Sequence, residues 1–105
     1  MASGKLPGTG ILSKIPGVNV EKESVTLEHA QAFIEKDDLK NALKEYGRLI
    51  KKGQMLEQVI HDLREITYRY PVEISIWQML GDGFMRSNRL QDALDAYTKA
   101  EELIR

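Results

Sequence analysis

The chain of 105 residues contains no cysteine. That excludes disulfides, thiolate zinc sites and cysteine nucleophiles, and it leaves the cytoplasm as the default location. Histidine is almost as scarce: His29 and His61 are far apart in sequence, with no carboxylates arranged around either as a metal site requires. Charge of one sign is lacking too. Fifteen basic residues face 16 acidic ones, so neither nucleic acid nor a membrane surface is indicated as a partner. No apolar run approaches the ~18 residues of a membrane helix. Lys5 ahead of Leu6-Pro7-Gly8 does not make a secretory signal. From what remains, no Ser-His-Asp set, paired catalytic carboxylates or activated lysine can be assembled. The expectation is a protein with no chemistry of its own, no metal and no cofactor.

Proline and glycine are not so much rare as confined. Two of the three prolines (Pro7, Pro16) and four of the eight glycines (Gly4, Gly8, Gly10, Gly17) fall in the first 23 residues. Apolar-Pro-Gly turns exclude helix through most of that stretch. Residues 1–23 therefore read as an extended, partly disordered arm, and 24–105 as one helical domain. Ile11, Leu12, Ile15, Val18 and Val20 make the arm more apolar than a plain linker.

The remainder carries helical periodicity throughout and no strand signal, which predicts an all-α body of five helices. Helix one is expected from Ser24 or Thr26 to Lys36, with Leu27, Ala30, Phe33 and Ile34 inward. Asp37 or Asp38 would cap helix two, which turns Leu39, Ala42, Leu43, Tyr46, Leu49 and Ile50 inward and closes on Gly53 in a left-handed conformation. Helix three uses Leu56, Val59, Ile60, Leu63 and Ile66 and stops before Pro71. In helix four, Trp77, Leu80, Gly81 and Phe84 share one stripe, with Trp77 expected to be buried between helices three, four and five. Asn88 and Gln91 would open helix five as a capping pair. Its inward stripe would be Leu90, Ala93, Leu94, Tyr97, Ala100 and Ile104, with Ala96 and Leu103 pointing elsewhere. Gly81 and Ala93 would let the last two helices approach closely.

Trp77, Leu80, Gly81 and Phe84, followed by Ala93, Tyr97 and Ala100 and preceded by Pro71, resemble the tetratricopeptide repeat. That family's pattern is W-x2-L-G-x2-Y, then A-x3-F, then P, over 34 residues. The resemblance implies an antiparallel helical-hairpin solenoid. It also implies a non-catalytic protein–protein interaction module, a scaffold or adaptor. The alternative is a regulatory or chaperone-like subunit of a larger assembly. An internal echo accompanies it: Leu39, Ala42, Leu43 and Tyr46 recur as Leu90, Ala93, Leu94 and Tyr97. Two registers follow and both stay open: helices one and two form a repeat with helix three an extra, or helices two and three form it with helix one the remainder.

Three surfaces suggest partners. Lys40, Lys44, Arg48 and Lys52 form a basic stripe along helix two, opposite its apolar face. It reads either as a solvated face or as a docking strip for an acidic protein or peptide. Ser75, Gln78, Asp82, Met85 and Arg86 would face a groove on helix four. Some tetratricopeptide domains clamp a C-terminal carboxylate there with lysine and asparagine, and Gln78 and Asp82 stand in place of that clamp. On helix five, Ala96, Tyr97, Ala100 and Leu103 would form a small-residue strip for a homodimer or for a continuing chain.

Overall fold

The computed structural model describes residues 20–105. Among these there are five α-helices and no strand: α1 (Val20–Glu35), α2 (Leu39–Lys52), α3 (Leu56–Arg69), α4 (Ile74–Arg86) and α5 (Leu90–Ile104). The all-α expectation holds, and all four helix–helix breaks fall where the sequence placed them. The proposed arm lies outside the described residues except for its last four positions, which are helical. Helix one starts at Val20 rather than Ser24 because nothing after Gly17 interrupts it; no proline or glycine recurs until Gly47.

Three of the four turns close in the same way. Asp37, Gly53 and Asn88 each adopt a positive φ (60°, 68° and 62°) just past the end of a helix. In each case the following backbone N–H reaches back across the last turn: Asp38 to the Phe33 carbonyl (2.8 Å), Gln54 to Leu49 (2.9 Å) and Arg89 to Phe84 (2.8 Å). These bonds satisfy carbonyls that a helix end would otherwise leave unpaired. Asp38 then caps α2 by accepting from the Asn41 N–H, as expected. Asn88 does not cap α5. It is the left-handed closing residue of α4, a conformation that asparagine tolerates. The position before α5 belongs to Arg89 without a side-chain cap, and Gln91 donates instead to Asp95.

Consecutive helices pack on one another, most closely α1 on α2 and α4 on α5, and α2 also lies against α4. The core runs through all five, with Ala30, Ala42, Val59, Leu63 and Ile76 fully buried. Tyr46 is buried with them, and its hydroxyl donates to Asp62, which also accepts from Gln31; one carboxylate so joins α1, α2 and α3. Burial and the Asp62 charge push the Tyr46 phenol well above its ordinary pKa. At the far end of α3, Arg69 pairs with Asp37 and donates to the Ile34 carbonyl, while the Tyr70 hydroxyl donates to Asp37 at 2.6 Å. The α1–α2 turn is thereby held from a third helix.

The approach of α4 to α5 is tightest at Gly81. A Cβ there would lie 2.5 Å from the Tyr97 ring, so the glycine makes room for an aromatic side chain rather than for Ala93 alone. Leu80, Phe84 and Ala93 are buried as expected. Two expectations need correction. Trp77 is only half-buried: its indole N–H donates to the Pro71 carbonyl and Lys99 lies over its ring. The face of α5 is also rotated from the one expected. Ala96 and Ala100 are buried, so neither is available as part of a pairing strip. Leu90, Leu94 and Ile104 are instead about 60 % exposed. Helices that close in over a glycine leave space for alanine in the seam, and the larger residues turn out.

Candidate functional site

The described residues form a groove of roughly 660 Å³ between α2 and α4. Gly47, Ile50 and Lys51 supply one wall, and Met79, Asp82, Met85 and Arg86 the other. The sequence explains its shape. Gly47 removes a side chain where Met79 crosses, at 3.4 Å from where a Cβ would stand. The two methionines then line the opposite wall with flexible, polarizable chains that accommodate varied apolar ligands.

Arg86 fixes how the two walls meet. Its guanidinium donates to the carbonyls of Ile50 and Lys51, both at 3.0 Å, and so caps the C-terminal end of α2 from α4. The negative end of the α2 dipole favours that cation. Gly53 leaves room for it, since a Cβ there would sit 2.9 Å from the guanidinium. On the same wall, one turn before Arg86, Asp82 accepts from the Tyr97 hydroxyl of α5 at 2.5 Å. Burial, with that bond second, pushes the Tyr97 phenol up to about 12. The charged groups at the groove are therefore partly engaged, with Arg86 on backbone carbonyls and Asp82 on a phenol.

Of the residues picked out in sequence, Asp82, Met85 and Arg86 do line the groove. Gln78 is exposed outside it, and so are Lys40 and Lys44. Arg48 and Lys52 border a smaller cavity of roughly 220 Å³ against Lys22, Glu23 and Thr26 of α1. Arg48 also reaches Glu45 at 4.0 Å. The basic stripe is thus exposed along α2 outside the groove, and Lys51 is the α2 cation that lines it. Sequence reading underrated Met79 and Lys51. Neither carries a local signal, because the packing of α2 on α4 is what brings them together. His29 and His61 are both exposed.

No helix among the described residues is long and apolar enough to cross a membrane. Comparison with known proteins gives no match: no family model, no curated protein and no solved structure corresponds to the chain.

Proposed function

We propose that this chain is a non-catalytic protein-interaction module built from tetratricopeptide-like hairpins, and that the groove between α2 and α4 receives an extended acidic segment of a partner. The observation that carries the reading is the groove itself. Gly47, Ile50, Met79 and Met85 make its lining largely apolar, Lys51 is the α2 cation on it, and Lys40 and Lys44 are exposed elsewhere on the same helix. An apolar floor with a few placed polar groups suits a peptide whose side chains alternate in character. Lys51, Lys44 and Lys40 would draw its carboxylates by long-range attraction, which screening by salt weakens. The hairpin reading is supported by the close α1–α2 and α4–α5 pairings and by the matching turns at Asp37 and Asn88, whose flanking leucines Leu39 and Leu90 begin the internal echo. A carboxylate clamp of the chaperone-binding type is not part of the proposal, since Asp82 stands at that wall.

The test is selection from a displayed library of random 12-residue peptides against the full chain and against a Lys44→Glu/Arg48→Glu/Lys51→Glu variant. Selected peptides should be enriched in Asp and Glu interleaved with apolar residues, and the variant should lose them without losing thermal stability. Equal recovery by both proteins, or selection of basic sequences, contradicts the proposal.

A further inference from the structure

An exposed apolar face outside the groove lies on α5, and the chain's own repetition indicates what covers it. Three helices begin with the same pair of apolar residues four apart: Leu39 and Leu43 in α2, Leu56 and Ile60 in α3, Leu90 and Leu94 in α5. In the first two, the second member is buried, with Leu43 at 8 % exposure and Ile60 at 2 %. Leu94 is 58 % exposed, as is Leu90. The cover over Ile60 is visible. Gly83 of α4 lies directly on it, with a Cβ position 3.2 Å from Ile60 Cγ1, so a helix sits there because it presents no side chain at the contact. Leu94 occupies the position on α5 that Ile60 occupies on α3, at the 34-residue spacing of the repeat register.

We propose that the Leu90–Leu94 face of α5 is a second interaction surface, and that it takes an amphipathic helix of a partner protein carrying glycine or alanine over Leu94. The interface continues the α3–α4 packing by one further helix. Exposed Asp95 adjoins Leu94 and accepts from Gln91, and exposed Glu101, paired with Arg105, lies two turns further along, so the incoming helix carries neutral or basic residues at its edges. That rim disfavours the acidic ligand proposed for the groove, and the two surfaces therefore select different partners. The inference draws on burial and spacing in α3 and α5 and does not depend on the groove.

The probe is a synthetic peptide of residues 73–88 with Glu73→Lys, stapled between positions 78 and 82, because α4 is the helix that covers the corresponding face of α3. Circular dichroism first establishes that the peptide is helical. Titrated into full-length chain with ¹³C-methyl leucines, it should shift the Leu90 and Leu94 resonances saturably. A Gly83→Leu version of the peptide should not bind. Leu94→Glu in the protein, which keeps its helical content because the side chain is exposed, should weaken binding at least about tenfold, the scale of one lost leucine contact. The inference is overturned if a helical peptide leaves both leucines unmoved up to about 1 mM, the range of the weakest specific binding. It is equally overturned if the peptide shifts Met79 and Met85 in the groove instead. A Leu94 resonance that moves on dilution of the protein alone identifies a second copy as the occupant and overturns the partner helix.

Discussion

Replacing Gly81 with alanine separates two effects of opposite sign at one position. Alanine is favoured over glycine within a helix by roughly 1 kcal/mol. Against that, the new methyl would stand 2.5, 2.7 and 2.8 Å from three carbons of the Tyr97 ring, far inside contact distance. Overpacking of this kind costs about 1–3 kcal/mol. If the ring moves away, the bond from its hydroxyl to Asp82 lengthens or breaks, at a further cost of about 1 kcal/mol for a partly exposed hydrogen bond. The net expectation for Gly81→Ala is destabilisation of about 2 kcal/mol. In a Tyr97→Ala background the clash is gone and the hydrogen bond is already lost, so the same substitution should stabilise by up to ~1 kcal/mol. Urea denaturation followed by circular dichroism measures all four corners of the cycle. The reversal of sign is the test. Stabilisation by Gly81→Ala in the wild-type background, or destabilisation in the Tyr97→Ala background, would refute the assigned role of the glycine.

Trp77→Ala should cost about 2 kcal/mol, below the 3–5 kcal/mol of a fully buried aromatic, because part of the indole already meets water; denaturation midpoints check this. Arg86→Ala should lower stability by about 1–2 kcal/mol by leaving the Lys51 carbonyl without this donor and the Ile50 carbonyl with the Gly53 N–H alone. Arg86→Lys should recover less than half of it, since an ammonium cannot span both carbonyls as the guanidinium fork does. Alkaline pH should also destabilise the fold. The Tyr97 pKa is raised from 10.0 to about 12, so its contribution is complete below pH 10 and is lost as pH rises through about 12. Tyr97→Phe should make the stability profile less steep between those values without levelling it, since the Tyr46 and Tyr70 phenols are also raised, as read by denaturation at stepped pH.

The helices were legible because each carries apolar residues at helical spacing, and Asp38 and Gly53 because capping chemistry is local. The rotation of α5 was not legible. Leu90, Leu94 and Ile104 outweigh Ala93, Ala96 and Ala100 in any hydrophobicity pattern. The seam with α4 is nonetheless too narrow for leucine, and that follows from Gly81 and Tyr97 on two different helices. Asn88 was ambiguous because asparagine serves both as an N-cap and as a left-handed closing residue, and the backbone decides which. For the groove, Asp82 and Met85 could be placed from helix four alone. The opposing wall needed the packing of α2 on α4, a contact between next-but-one helices that no local pattern encodes. The Arg86 bridge to α2 escaped notice for the same reason, since its acceptors are backbone carbonyls 35 and 36 residues away.

The most direct test of the groove uses the chain's own methionines. Met79 and Met85 line it, whereas Met55 lies in the α2–α3 turn, packed against the core. With ¹³C-methyl methionine in the full chain, a peptide obtained by the library selection should shift the Met79 and Met85 resonances and leave Met55 in place. Raising salt should weaken the effect, as attraction to the α2 cations requires. Shifts at Met55 with Met79 and Met85 unchanged, or binding insensitive to salt, would contradict the assignment of the α2–α4 groove as the partner site.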